Sequence, residues 1–481
     1  MPRDTGNGRV YRLDRRDVIK GVGAAGMLGL AGCGGDGGGS DGSDGGSDGS
    51  DGGSDGSDGG DGEDGGSDGG DGGDGEDGGS SDGMTGPTVN VSIEDTQTDP
   101  NAGVAAANSL VNAGVPFVCG TASSGVNVPV SQQVFIPNEV VGCSPSSTAL
   151  SVTNLEDNDF IFRTAPSDIL QGRVLAQVAS ERLGGSTTAT LYVNNDYGQQ
   201  LSNRYGNVFE DTFDGTVQNQ VAFNQGESSY TSVIQEALAD GPDVLTIIGY
   251  PEDGAQIFRD YYSAGDSSED IIVPDGLQDG ALPGQVGNDM DNVIGTAPAA
   301  GGPNQEAFNQ AYQDEYGEAP GVFTSQSFDS VAIGILANAA AGENSGPAIR
   351  DQMRNITNPD GTEIGPQNLI EGVEMAAAGE NINYQGASSA TNFDEAGDPA
   401  SAAYNVWEFE GADSEATPTL DTQSFEGDSP QGAGPSADEI PGSGDRTIEV
   451  GILLPETGNL ASVGGPMIQA AELPAKMWSN R

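Results

Sequence analysis

"RTIEVGILLPETGNLASVGGPMIQAAELPAKMWSNR", residues 446–481, decides how the rest of the chain is read. "IEVGILLP" is a short aliphatic run of the kind that is buried on both faces of a parallel sheet. "ETGNLASVGG" is a Gly/Ser loop, and the residues after it open a helix. Strand, loop and helix in this order read as the beginning of an α/β domain, yet they close the sequence.

Upstream, from residue 88, the pattern alternates as parallel sheets require. "VNVSIED" reads as a strand and "AGVAAANSLVNAG" as a helix ended by Gly114. "VPFVCG" is a second strand, followed by the Gly/Ser loop "TASSGVNVPVSQQV". Then come "VVGCSPSSTAL", "TTATLYVNNDYGQQLSNRYGNVFEDTF", "DVLTIIGYPEDGAQIFRDYYSAG" and "DIIVPDGL". Repeated strand–loop–helix units predict doubly wound parallel sheets, whose ligands bind in loops beyond the strand C-termini. Another pair of helices follows after "VIGTAPAAGGPNQEAFNQAYQDEYGEAPGVFTSQSFDSVAIGILANAA", and "YNVWEFEG" reads as a strand of alternating faces. Residues 412–445 are rich in Asp, Glu, Gly, Ser and Pro and read as an acidic linker.

The N-terminal side reads differently. Residues 1–33 read as an export signal: Arg15-Arg16 precedes the short apolar stretch "GVGAAGMLGLAGC", too short and Gly-rich to span a bilayer. The paired arginines resemble a twin-arginine signal, and "LAGC" resembles a lipobox, which implies lipidation of Cys33. Residues 34–83 are almost wholly Gly, Ser, Asp and Glu, with nothing to bury, and residues 34–87 read as a disordered tether. Calcium-binding repeats would need a regularly placed apolar residue, and none is present.

The 481 residues carry 74 acids against 16 bases, a formal charge of −58, and no histidine. The tether supplies only a minority of that excess. Acid enrichment with just two lysines, Lys20 and Lys476, resembles proteins of halophilic archaea. With no basic patch, nucleic acid is excluded as a partner. With no histidine, His-dependent triads and His-ligated metals are excluded, so no metal or other cofactor is expected. Cys119 and Cys143 close two apolar runs and read either as a disulfide or as two buried small hydrophobes.

Taken together, "IEDTQTDPNAGVAAANSLVNAGV", "GTASSGV", "DNDFIFRTAPSDILQGRVLAQ", "LYVNNDYGQQL" and "IGYPEDGAQIFRD" resemble the branched-chain amino acid (leucine/isoleucine/valine) binding proteins of ABC transporters. The resemblance runs from about residue 88 to 411. It implies an α/β, two-lobed periplasmic-binding-protein type I fold, each lobe a mostly parallel sheet flanked by helices. The expected lobes are 88–165 (first), 166–300 (second), 301–345 (first again) and 346–411 (second, with a crossover). That family opens with a strand like 446–481, so the first strand and helix of lobe 1 are expected from the C-terminus, by circular permutation. A linker of this length spans about 30 Å r.m.s., enough to return the strand to its sheet. A truncated second copy and a damaged gene are the competing readings.

An amino acid brings a carboxylate, an ammonium and a side chain. Ser123 and Ser124, with Ser146, Ser147 and Thr148, offer hydroxyls at helix starts for the carboxylate, or else serve as N-caps. The resemblance puts an acid for the ammonium after a second-lobe strand, here Asp275, with Tyr250 and Tyr197 beside the ligand. Thr457, Gly458, Ser462 and Val463 would come from the displaced C-terminal segment, and Phe323 would line the side-chain pocket or sit in the core. The resemblance implies binding rather than catalysis. It implies a monomer, lipid-anchored at the extracellular face of the membrane, that delivers its amino acid to a permease and ATPase. A surface sensor, or a binder of a small amide such as urea, are the alternatives. "TASSG" offers serines but no histidine or Ser-x-x-Lys partner, which argues against an amidase.

Overall fold

A computed structural model of the chain describes residues 9–12, 86–264, 269–357, 359–426 and 438–481. Its strands are β1 (Arg9–Arg12), β2 (Thr88–Asp95), β3 (Phe117–Gly120), β4 (Val141–Ser144) and β5 (Ile161–Arg163). Next come β6 (Thr187–Val193), β7 (Thr216–Phe223), β8 (Val244–Ile248), β9 (Asp270–Val273) and β10 (Val293–Pro298). Last are β11 (Thr362–Ile364), β12 (Ile382–Tyr384), β13 (Ser401–Glu408), β14 (Thr419–Glu426) and β15 (Thr447–Leu454). Two larger sheets build two lobes, ordered β1-β2-β15-β3-β4-β5 and β14-β13-β10-β9-β8-β6-β7. All neighbours are parallel except β1 on β2, β13 on β10 and β14 on β13.

β15 lies between β2 and β3, with Val450 opposite Val91 and Ile452 opposite both Ile93 and Cys119. Ile448, Val450, Ile452 and Leu454 are buried on one face, while Leu453 packs on the other with Leu110 and Val118. That double burial is why the run is apolar without alternation. The helix Ala461–Ser479 then packs against Thr324–Ala341, all of whose residues are buried. Gly334 lets that central helix lie on β3, since a Cβ there would be 2.2 Å from the Phe117 ring. At the end of the C-terminal helix, Trp478 Nε1 donates to the Pro87 carbonyl at 2.8 Å, beside the start of β2.

Two segments differ from expectation. The helices Gly346–Met353 and Leu369–Ala377, expected in the second lobe, pack instead on Thr324–Ala341 in the first. Their apolar faces, Ile349, Met353, Leu369 and Val373, are buried in that core. The chain re-enters the second lobe only at β13, which adds antiparallel to the edge of β10. Within the expected linker, "TLDTQSFE" forms β14 on β13, and Phe425 sets its ring edge-on to Tyr404 at 6.1 Å. The Thr, Leu and Phe of that stretch suit an edge strand, which the surrounding acidic composition obscured. Of the expected export signal the structure describes only β1. Cys33, the tether to residue 85 and residues 427–437 lie outside the described residues.

Cys119 and Cys143 are free and buried, directly opposite one another on β3 and β4. Burial pushes the Cys119 thiol up to about 12 and raises the Cys143 thiol as well. Of the two readings, buried small hydrophobes is the one the structure carries.

Candidate functional site

The loops after the parallel strands of both lobes meet in one narrow cleft, which leaves about 20 Å³ for the centre of a water molecule. The first lobe brings Ala122, Ser123, Ser124 and Ser146 from the ends of β3 and β4. The second brings Tyr197, Tyr250, Asp275 and Gly276 from the ends of β6, β8 and β9. Phe323 and three residues of the C-terminal segment, Leu460, Val463 and Met467, form an apolar end.

Ser123 occupies the N-cap position of the helix Ser124–Val130, but its hydroxyl caps nothing. Its Oγ lies 2.8 Å from the Tyr250 hydroxyl, which also accepts from Asn195 Nδ2 at 3.0 Å. Ser124 Oγ accepts from the Ala149 amide at 3.1 Å, which leaves its own hydrogen to donate. Ser146 donates to the Ala122 carbonyl at 3.1 Å. The Tyr197 and Tyr250 rings stack, with centroids 5.8 Å apart and planes 12° from parallel.

Other expected site residues stand elsewhere. Ser147 braces the β3 loop by donating to the Thr121 and Ala122 carbonyls at 2.8 and 3.0 Å. Thr148 is buried near Asp168, outside the lining. Thr457 is exposed and donates to Asp95 at 2.6 Å, closing the turn after β15 rather than facing a ligand. Ser462 is exposed on the helix face opposite Val463 and Met467. Gly458 has φ 87° and passes so near Gln97 that a Cβ would lie 2.0 Å from its carbonyl oxygen. It shapes the loop without lining the cleft.

A family profile described as "Periplasmic binding protein" matches residues 70–405. The chain belongs to that family. This periplasmic binding protein is 24% identical over 276 residues to "Chemotactic signal transduction system substrate-binding protein BasB" of Halobacterium salinarum, covering 56% of this chain and 64% of that one. It is 24% identical over 262 residues to the "Leucine-, isoleucine-, valine-, threonine-, and alanine-binding protein" of Pseudomonas aeruginosa, covering 53% and 68%. The match thus spans a little under two thirds of the first relative and just over two thirds of the second. Among solved structures, the leucine-binding protein LivK of Thermotoga maritima superposes with TM-score 0.55 at 22% identity, covering 68% of this chain and 85% of that one. LivJ of Streptococcus pneumoniae, solved with isoleucine, gives 0.52 at 20%, covering 68% and 86%. β15 and the helix after it lie beyond the residues that the family profile matches.

The electrostatics of the binding protein's cleft are negative. Burial pushes Asp275 up to about 6, against the opposing pull of Gln171 and Tyr197. Asp168, buried at the start of the helix Asp168–Gln177, is held well above the usual carboxylate range by burial and then by the charge of Asp275. Burial also raises Tyr197 well above its ordinary value and pushes Tyr250 up to about 12, so both keep their phenolic hydrogens at neutral pH. The nearest cation, Arg163, is wholly engaged. Nε and Nη2 hold both oxygens of Asp398 at 2.5 and 2.6 Å, Nη2 also donates to Thr153, and Nη1 holds the Ser147 and Ala149 carbonyls at 3.1 Å each. It therefore ties the loop after β4 to the crossover that leads into β13.

Sequence reading missed Asp168, Arg163, Asn195, Leu460 and Met467. The first two stand in "RTAPSD", where a buried role is disguised as a turn followed by a helix-start acid. The lobes touch directly around the cleft. Besides Ser123–Tyr250, the Ser151 amide donates to Gln200 at 2.8 Å and Asn459 Nδ2 donates to Asp253 at 2.8 Å. This is a closed arrangement.

Proposed function

We propose that this protein captures a small amino acid, with a branched aliphatic side chain the best fit, between two closing lobes. The observation that carries the reading is the cleft's composition: a buried carboxylate at Asp275, hydroxyls at Ser123 and Ser124 opposite it, and an apolar end of Phe323, Leu460, Val463 and Met467. Asp275 would receive the ammonium and the hydroxyls the carboxylate, without a permanent cation. Burying an aliphatic side chain against the apolar end would contribute about 1.5–3 kcal/mol. Each lobe holds part of the ligand, so binding favours the closed state; no bond is made or broken. Delivery to a permease with its ATPase, and attachment to the membrane by lipid on Cys33, complete this reading. The names of the Pseudomonas and Thermotoga relatives support it.

The position of β15 between β2 and β3 supports circular permutation over an idle second copy. One C-terminal element fills the sheet and also supplies Leu460, Val463 and Met467 to the cleft. A second functional reading, a sensor that signals ligand instead of delivering it, is favoured by the name of the Halobacterium relative.

Thermal unfolding in concentrated salt, against a panel of amino acids and small amides, tests the ligand class. A ligand at a thousand times its Kd should stabilise by about 4 kcal/mol, a clear rise in midpoint. Leucine, isoleucine or valine should give the largest rise, and Asp275→Ala should remove it. A panel in which only urea or another uncharged amide acts would overturn the amino-acid reading.

A further inference from the structure

We propose that Asn459 and Asp253 form the latch of this binding protein: a positioning pair, outside the cleft lining, that sets how long the lobes stay shut. The inference rests on the reading of the lobes as closing around a ligand. Asn459 Nδ2, in the loop after β15, donates at 2.8 Å to Oδ2 of Asp253, in the first turn of the second-lobe helix Pro251–Ser263. Neither residue lines the cleft, yet each stands beside one that does. Leu460 follows Asn459, and Tyr250 is the N-cap of the helix that carries Asp253.

Each half of the latch is fixed within its own lobe. Asp95 accepts from the amides of Glu456 and Thr457 at 2.9 and 3.2 Å and from the Thr457 hydroxyl at 2.6 Å. The Leu460 amide donates to Thr98 Oγ1 at 3.2 Å, so the loop that presents Asn459 is tied down on both sides of it. In the second lobe, Oδ1 of Asp253 accepts from the Gly226 amide at 2.9 Å and the Tyr230 hydroxyl at 2.6 Å. Partners held in place beforehand lose little freedom when they meet. Of the three cross-lobe bonds, Ser123–Tyr250 lies in the lining, and Ser151–Gln200 joins two neutral, half-buried residues. Asn459–Asp253 alone among these three has a buried carboxylate as its acceptor, and hydrogen bonds to charged groups are the stronger kind.

The latch acts on one side of the opening equilibrium. Asp253 is 3% exposed, and among the described residues Asn459 is the partner of its Oδ2. With the lobes apart, water can take that place. With the lobes together and the Asn459 amide removed, a buried carboxylate oxygen would be left without a donor, which is costly. Truncating Asn459 therefore penalises the closed state alone, by about tenfold in the closing equilibrium. Both partners belong to the protein, so the latch works whether or not a ligand lies between the lobes.

Stopped-flow release of L-leucine from the full chain, in concentrated salt, tests the pair. Asn459→Ala should release L-leucine about tenfold faster, with association and the ligand-free thermal midpoint little changed. Asn459→Asp, which sets one carboxylate against another, should release it faster still. Adding Asp253→Asn to Asn459→Asp turns the bond around. The amide introduced at position 253 keeps its oxygen for Gly226 and Tyr230 and donates its nitrogen to the carboxylate introduced at position 459, so slow release should return. Unchanged release in Asn459→Ala, or no recovery in the reversed pair, would overturn the latch while the amino-acid reading stands. A second readout needs no ligand. The Ser151 amide donates across the lobes to Gln200, so its hydrogen exchange reports closure directly. It should exchange about tenfold faster in Asn459→Ala and slow again in the reversed pair. Equal exchange at Ser151 in parent and Asn459→Ala would sink the latch even if L-leucine failed to bind.

Discussion

Burial sets Asp275 against the fold that holds it. Its carboxyl titrates at about 6 in the folded chain, above the ordinary aspartate value, so the folded state binds the proton more tightly than the unfolded one. That difference destabilises the ligand-free protein as pH rises from the ordinary value through 6, and the loss is complete above it. Asp275→Asn removes the penalty. It should raise ligand-free stability by about 3 kcal/mol near pH 8, and variant and parent should converge below about pH 4. Thermal unfolding followed across that range checks the sign; a variant less stable at pH 8 would mean that Asp275 is compensated in the fold. The structure places Ser123, Asp275 and Tyr250 in the lining of the cleft; Ser123 was legible in the sequence as part of a Gly/Ser loop after a strand, and Asp275 and Tyr250 through the family resemblance. Asp168 and Arg163 were not, since their roles depend on Asp275 and Asp398, far away in the chain. Thr457 and Ser462 were misjudged because a loop's position does not say which of its side chains face inward.

β15 puts five aliphatic side chains, Ile448, Val450, Ile452, Leu453 and Leu454, wholly into the cores on its two faces. At about 1.5–3 kcal/mol each, their burial is comparable to the whole stability of an ordinary domain. Removing residues 446–481 should therefore abolish cooperative unfolding, and Ile452→Ala alone should cost about 2–5 kcal/mol. Denaturant titration reads both, and a sharp transition in the truncated chain would restore the idle-copy reading. The element was legible because its apolar run and Gly/Ser loop need no context. β14 was missed because an exposed edge strand carries little hydrophobic signal. The helices of residues 346–377 were recognisable as elements, but which lobe receives an apolar face is settled by packing at long range.

At the scale of the molecule, 74 acids against 16 bases leave a formal charge of −58, and the excess carboxylates repel one another unless salt screens them. The thermal midpoint should climb steadily as potassium chloride is raised from about 0.1 M to well above 1 M, where the Debye length falls to about 3 Å. A midpoint insensitive to salt would argue that the acidity is not a solvent adaptation. The two-lobed plan was visible in the repeated strand–loop–helix units, whereas the closed contacts Asn459–Asp253 and Ser151–Gln200 join residues that no local pattern connects.

The parallel pairing of β2 with β15 has a mechanical consequence. The two strands lie in register along eight residues, Thr88 opposite Thr447 through Asp95 opposite Leu454. The Trp478–Pro87 hydrogen bond clamps the point where the chain enters β2. A pull applied at Pro87 along the strand would load that ladder in shear, all its bonds bearing tension together, instead of unzipping them one at a time. The folded body would thus resist being dragged by its N-terminal side.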